Sequence, residues 1–434
     1  MNREESLPAR HVIMVAVGSA GDVHPFVGLG IRLLERGYRV TLITSSYFRP
    51  LAERVGLELV DPMPGYDFAE TTKNPNIWHS LKGPKTIMDI AVGPVIGPTY
   101  RLIAERFQPG RTIVLGSSLA FGAMVAQDKL GVPTLSVHLS PALFRSDYQG
   151  PVLPGMAVAT APWWLKRLQW YLADRLFIDR MVNRWLTPVR AELALPPVSR
   201  VYRNWMHAKL GVLAMFPEWF APRQPDWPEP MWQPGFPLYD ERGVVEPDDE
   251  LKQFVEVEPP LVFTPGSANM FGREFFTEAA EACRRLKRRG LLLTRFPEQI
   301  PADLPSGVRH VSFVPFGWLL PRAGALIHHG GIGTLSQGFA AAVPQIVMPL
   351  GFDQFDNAAR LERLGVGRTL PPKRFKADQL APLLEELLTS STVQAKCREV
   401  AQRFVDYDAL EAACQVIDQT CAKHVSAPRL AAGS

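Results

Sequence analysis

From Val12 to Val17 the chain reads VIMVAV, an unbroken apolar run that stops at the glycine turn Gly18-Ser19-Ala20-Gly21. A segment apolar at every position, rather than at alternate ones, predicts a strand covered on both faces, and hence a parallel sheet. After the turn, Phe26, Leu29, Leu33 and Leu34 recur at helical spacing from Pro25 to Arg36 and stop at Gly37. A second strand, Val40–Thr44, follows at once. Strand, glycine turn, helix, strand is the opening of a doubly wound α/β domain. Thr112–Leu115 and Thr134–Val137 read as further strands of that sheet, with a helix between them.

The module recurs. Leu261–Thr264 leads into Pro265-Gly266-Ser267, a charged helix follows over about Thr277 to Arg289, and Leu291–Thr294, Ala325–His328 and Gln345–Met348 are short apolar strands. At roughly 150 residues per domain, a 434-residue chain has room for two such units. The expected fold class is therefore α/β, two doubly wound Rossmann-like domains facing across a cleft: 1–216, and 261–408. Between them, 217–260 is a proline-rich, then acidic, connector, with seven prolines from Pro217 to Pro237. A last helix and tail occupy 409–434 and fit either half.

With 47 Lys+Arg against 43 Asp+Glu and no basic stripe, no nucleic-acid partner is expected. The 47% hydrophobic content excludes disorder. Four cysteines without CxxC spacing suggest reduced thiols rather than a disulfide framework or zinc site. The apolar run near the N-terminus is too short for a secretory signal, and no stretch reaches the ~20 residues of a membrane span. A cytoplasmic chain is expected, touching a membrane peripherally at its inner face at most.

One stretch stands apart. In Trp163–Leu186, Trp164, Leu168, Tyr171, Leu172 and Phe177 lie near helical spacing among Lys166, Arg167, Arg175 and Arg180. Such a helix can lie on an anionic membrane or wall a lipid pocket. The plainer expectation is a surface helix burying its apolar face in the N-terminal domain.

The chemistry-bearing residues cluster at the strand ends. Gly18–Asp22 is not the dinucleotide fingerprint, because Ala20 stands where a glycine is required and no acid follows Val40–Thr44. The turn instead delivers Asp22 to the carboxyl edge of the first strand, where ligands bind in open α/β sheets. Asp22 is a candidate base or simply a helix cap; His24 is the rival base. In the second half, His328-His329 ends a strand, and Gly330, Gly331, Gly333 and Thr334 open a helix whose backbone N–H groups and dipole suit an anion such as a diphosphate. His328 would add a hydrogen bond or charge, and the Gly266-Ser267 turn is a second anion-cradling loop. Asp353-Gln354 follow another strand and suit vicinal sugar hydroxyls, each able to hold two hydrogen bonds. His328-His329 lack a third ligand at metal spacing, so no metal is expected.

With these segments in hand, the sequence resembles the family 1 glycosyltransferases of the GT-B fold, whose donor signature passes from a W-x-P-Q-like segment through H-x-G-W-N-S to D/E-Q. Here those positions read Phe313-Val314-Pro315-Phe316, His328 to Thr334, and Asp353-Gln354. Gly18 to Pro25 resembles the opening of bacterial members acting on lipids, sterols and antibiotics. Gly21–Pro25, Trp205-Met206-His207, Phe216–Pro222 and Phe352–Asn357 are similar to the rhamnosyltransferases of rhamnolipid biosynthesis. Those enzymes join rhamnose from a dTDP donor to 3-(3-hydroxyalkanoyloxy)alkanoic acid.

The resemblance implies an inverting hexosyltransferase with Asp22 as base, His328 on phosphate, and Gly333 and Thr334 on the diphosphate. It also implies Phe313, with Val314, beside the nucleobase, and Asp353 and Gln354 on the sugar. Ser19, Trp164, Leu168 and Tyr171 become candidates for the acceptor cleft. No cofactor or metal is implied, only a nucleotide-sugar co-substrate such as dTDP-L-rhamnose, an amphiphilic lipid acceptor, and a partner enzyme making that acceptor. Ser336 stands where plant members carry a ribose-gripping glutamate, which fits a 2′-deoxyribose. Other expectations are a UDP-glucose transferase acting on a hydroxy fatty acid, sterol or polyketide, a non-catalytic nucleotide-sugar-binding subunit, and an epimerase relative.

Overall fold

The computed structural model describes residues 10–424 apart from 67, 158, 242, 268, 270 and 271; the tail of the 409–434 unit beyond 424 lies outside the described residues. The first sheet contains β1 (His11–Val15), β2 (Arg39–Ile43), β3 (Glu58–Val60), β4 (Thr112–Ser117), β5 (Thr134–His138), β6 (Val212–Ala214) and β7 (Met231–Trp232). All pair in parallel, in the order β3-β2-β1-β4-β5-β6-β7. The second contains β8 (Leu261–Thr264), β9 (Gly290–Leu293), β10 (Val308–Val311), β11 (Ala325–His328), β12 (Gln345–Val347) and β13 (Gly367–Thr369), in the order β10-β9-β8-β11-β12-β13. Helices cover both faces, which is why β1, β8 and β11 are buried along their whole length.

Strand order reverses between β1 and β4 in one sheet and between β8 and β11 in the other. At such a switch point the loops leaving neighbouring strands diverge to opposite faces and open a crevice. The Gly18 turn leaves β1, the Gly266 turn leaves β8, and the His328–Gly331 segment ends β11. The two-domain reading and its strands are thus observed, with shifted helix starts. The first helix runs over Ala20–Glu35 with Pro25 inside it, because capping at Ser19 carries it back beyond the proline.

Two features add to the sequence reading and one expectation is corrected. The proline-rich, acidic connector carries elements of its own: Met231–Trp232 adds an edge strand beside β6, and Asp248 caps the helix Asp249–Val257 by accepting from Leu251 N at 2.7 Å. The last helix, Ala409–His424, returns to the first domain, where Leu410, Ala413, Cys414 and Ile417 join the core of Val12 and Phe26. Tyr38 Oη donates to Asp418 Oδ1 at 2.7 Å across that seam. Finally, the helix Trp163–Ala173 does not bury its apolar face. Trp164, Leu168 and Tyr171 are exposed, whereas Lys166, Trp170 and Asp174 are buried. Arg145 causes the inversion, stacking 3.8 Å from the Trp170 ring centre and pairing with Asp174 at 3.3 Å.

Among the described residues no single helix is long and apolar enough to cross a membrane; the bent pair Gly83–Val92 with Ile96–Arg106 qualifies only in combination, and its Met88, Val92, Ile96 and Ile103 are buried. All four cysteines are free and buried.

Candidate active site

Asp22 is the third residue of its helix. Its Oδ2 accepts from Ser19 N at 2.8 Å and Ser19 Oγ at 3.2 Å, satisfying helix-start donors that would otherwise be orphaned. The carboxylate lies over Gly18, where an added Cβ would come within 2.1 Å of Oδ2, and Gly18 holds a φ of +140°. Only glycine allows this fold-back. Asp22 Oδ1 takes no hydrogen bond among the described residues. Burial, opposed by the Ser19 bonds and reinforced by the charge of Asp353, raises the Asp22 pKa to about 6. The carboxylate is thus ionised at neutral pH yet basic enough to take a proton.

The charge of Asp353 at Asp22 joins the two halves of the site. Asp353 sits at the start of the helix Gln354–Leu364, and burial raises its pKa. Ser140, in the loop after β5, hydrogen-bonds its carboxyl. Asn357 Nδ2 donates to Asp353 Oδ2 at 2.8 Å and to Gly330 O at 3.0 Å, tying Asp353 to the glycine segment. The neighbouring Gln354 is buried, and its Oε1 accepts from Leu350 N and Gly351 N at 2.7 and 3.1 Å. Its oxygen therefore shapes the loop after β12, leaving only the amide nitrogen for a ligand.

His328 and His329 divide their roles in a way the sequence does not reveal. His328 is fully buried; its Nδ1 accepts from Gly330 N at 3.1 Å, so its Nε2 donates to Gln345 Oε1 at 2.9 Å. Burial pulls its pKa down to about 3, and the ring is neutral. The expectation that His328 brings hydrogen bond or charge to a phosphate is corrected: both nitrogens are engaged within the protein. His329 lies between the two glycine loops. An added Cβ at Gly266 would approach its Cε1 to 2.9 Å, and one at Gly331 its Nε2 to 2.6 Å. Its Nδ1 is buried with no partner among the described residues, and burial lowers its pKa to about 4.

The helix Ile332–Ala340 starts at Gly331 with no side-chain cap, and nothing lies within 4 Å of a Cβ placed on Gly333. Its first N–H groups are free to meet an anion, beside His329 and the Gly266 turn, where Ser267 is exposed. Thr334 is partly exposed in the same first turn. Ser336 Oγ instead turns into the helix, donating to Gly333 O at 2.9 Å.

The remaining candidates are placed as follows. Phe313 lies under the Arg295 guanidinium, 5.1 Å from its ring centre, so one face of the ring is already covered. The Val314 side chain is buried in a core cluster with Leu291 and Leu326. His24 faces away from Asp22: its Nε2 lies 3.4 Å from Oε1 of Glu241, a buried connector carboxylate that also holds Arg54 at 3.1 Å and Arg295 at 3.8 Å. Two helix positions rotate a side chain by ~200°, so residues 22 and 24 cannot share a ligand. Ser19 adjoins Asp22; Trp164, Leu168 and Tyr171 stand on an outer helix face. Among the described residues no group of three or more His, Cys, Asp or Glu could hold a metal ion. Sequence reasoning missed His329, Ser140, Asn357 and Glu241; the doubled histidine was the one signal that could have pointed to His329.

Comparison with known proteins places the two halves of the chain among glycosyltransferase-related domains. Residues 12–138 match the glycosyltransferase family 28 N-terminal domain, and residues 295–422 match the erythromycin biosynthesis protein CIII-like C-terminal domain. The chain is 28% identical to O-mycaminosyltylonolide 6-deoxyallosyltransferase of Streptomyces fradiae, over 94% of this chain and 97% of that protein. It is 23% identical to a sterol 3-beta-glucosyltransferase of Arabidopsis thaliana, over 94% of this chain and 68% of the relative. The fold matches spinosyn rhamnosyltransferase SpnG complexed with thymidine diphosphate, at a TM-score of 0.65 and 17% identity, covering 94% of this chain and all of the other.

Proposed function

The chain is a two-domain nucleotide-sugar glycosyltransferase of the GT-B type, and on that premise we propose that it transfers L-rhamnose from dTDP-L-rhamnose, with inversion, to the hydroxyl of an amphiphilic lipid acid such as 3-(3-hydroxyalkanoyloxy)alkanoic acid. The observation that supports glycosyl transfer is that Asp22 of the first domain lies near enough to Asp353 of the second to feel its charge, with an uncapped helix start in that second domain. The acceptor hydroxyl gives its proton to Asp22, and its oxygen forms the new bond to the anomeric carbon. The bond from that carbon to the diphosphate oxygen breaks with its electron pair leaving on the diphosphate. His329, the N–H groups at Ile332–Thr334 and the Gly266-Ser267 loop receive that charge, a role for which no metal cofactor is needed. Asp353 and the Gln354 amide nitrogen hold sugar hydroxyls, and the base lies against Phe313 and the Val314 backbone.

A thymidine donor is supported by Ser336, whose hydroxyl is turned inward where a 2′-OH would need a partner. It is supported too by the thymidine diphosphate held by SpnG. A second reading, a sterol or macrolide-like acceptor, draws on the names of the two relatives. We place the enzyme in the cytoplasm, peripheral at the inner membrane face, taking its acceptor from a partner enzyme that esterifies hydroxy fatty acids. The test is titration with dTDP and UDP, then turnover with the matching sugar donors, the lipid acid and a chelator. Tighter dTDP binding with chelator-insensitive rhamnosyl transfer is expected. A UDP preference sinks the donor assignment, and transfer only to sterol or macrolide sinks the acceptor.

A further inference from the structure

From Trp163 onward, positions 163/164, 167/168, 171/172 and 175/176 are exposed and positions 166, 170 and 174 are buried, a repeat of four that makes one continuous solvent face. That face carries Trp163, Trp164, Leu168, Tyr171, Leu172 and Leu176, and Phe177 beside them is 71% exposed. Seven of the thirteen large apolar side chains exposed among the described residues are gathered on these fifteen positions. A folded protein leaves so dense an apolar group in water only where something covers it.

The charges identify the covering surface. Arg167, Arg175, Arg180 and Arg184 are exposed on or beside the face. Both acids of the stretch turn inward: Asp174 to Arg145 at 3.3 Å, and Asp179 to the Arg200 and Val201 N–H groups at 2.7 and 3.0 Å. A second copy packed on this face by twofold symmetry would bring its arginines among those of the first, with neither Asp174 nor Asp179 of the stretch turned outward to meet them. Tryptophan and tyrosine with arginine suit the headgroup layer of an anionic bilayer. The eleven-residue helix Trp163–Ala173 is ~16 Å long, enough to lie in that layer and too short to cross it.

We infer that the exposed face of Trp163–Phe177 docks the enzyme on an anionic phospholipid bilayer and presents the acceptor entrance to it. Trp170 Nε1 donates to Ser146 O at 3.3 Å, and Lys166 Nζ donates to Tyr148 O, so the helix rests on the loop leaving β5. The same loop carries Ser140 to Asp353, and Val152 N donates to Asp356 Oδ1 at 2.9 Å. Docking therefore sets the lipid surface one loop away from the sugar-binding carboxylate. This deepens the lipid-acceptor reading and rests on it for its purpose, though not for its test.

The test is co-sedimentation of the full chain with vesicles that contain no acceptor: phosphatidylcholine alone, or mixed equally with phosphatidylglycerol. Wild type is expected to partition onto the anionic vesicles, less at high salt, and weakly onto phosphatidylcholine. Trp163→Glu/Leu176→Glu/Phe177→Glu should reduce partitioning by about tenfold or more, with dTDP affinity and thermal melting unchanged because all three side chains are in solvent. Arg167→Glu/Arg175→Glu should abolish the preference for anionic lipid. The proposal is overturned if wild type ignores anionic vesicles or the triple variant binds like wild type. It is equally overturned if light scattering shows a dimer that the triple variant dissolves. Vesicle binding without transfer to lipid acids would sink the acceptor reading and leave docking intact.

Discussion

Each domain carries, at the switch point of its sheet, a buried strand, a glycine turn and a helix, and the two helix starts are used in opposite ways. In the first, Asp22 folds back and fills the helix start with a carboxylate of the chain's own. In the second, Gly331 caps with nothing and Gly333 leaves open space, so the positive end of the helix is left for a visiting anion. On the proposed mechanism, one architecture thus yields a base where it is self-filled and a diphosphate seat where it is vacant. The difference rests on the first turn of each helix, where one has Ser19 and Asp22 and the other has Gly331 and Gly333.

Asp22→Asn should cause the largest change, lowering kcat by about 10²–10⁴-fold while dTDP affinity by titration calorimetry stays the same. Full turnover in that variant would break the contrast outright. In wild type, kcat/KM should fall below pH 6, where Asp22 binds a proton, and this acid limb should vanish in the variant. Stability runs the other way. The folded carboxyl, with its pKa raised from 3.8 to about 6, favours folding while protonated, and that contribution is lost as pH rises through this window. Asp22→Asn should therefore melt at or above the wild-type temperature at pH 7.

Next in size, His329→Ala should weaken dTDP binding by about 1–3 kcal/mol if its unpartnered nitrogen meets the diphosphate. His328→Ala should instead lower the melting temperature, stranding Gln345 and Gly330 N, with its direct share of donor affinity near zero. The reverse pattern would return the phosphate role to His328. Gly333→Asp puts a carboxylate into the open first turn of the second helix; dTDP affinity should drop by about tenfold while the helix is not weakened. Undiminished binding would show that the diphosphate lies elsewhere. The smallest effect is expected from Ser336→Glu, a few-fold gain for UDP over dTDP donors, measured by competition.

Much of this was legible from residues alone. Continuous apolar runs predict the parallel strands, and the glycine turns mark the strand ends at which the candidate site lies. His328 and His329 were not separable, because successive strand residues face opposite sides and a doubly covered sheet buries either side equally well. The Trp163 helix defeated the apolar pattern for another reason. Its buried face is set by Arg145, far away in sequence, whose stacking on Trp170 and pairing with Asp174 outweigh hydrophobic periodicity. Glu241 was hidden in acidic connector sequence whose partners come from three separate segments.

The return of Ala409–His424 to the first domain means that the polypeptide crosses the cleft twice, once through the connector and once ahead of that helix. A body held by two straps can swing about the line joining them but resists twisting off it. Any swing of the domains is thus confined to a door-like path that brings Asp22 back to Asp353 on closing, and clipping either strap would cost that alignment before it cost folding of the sheets.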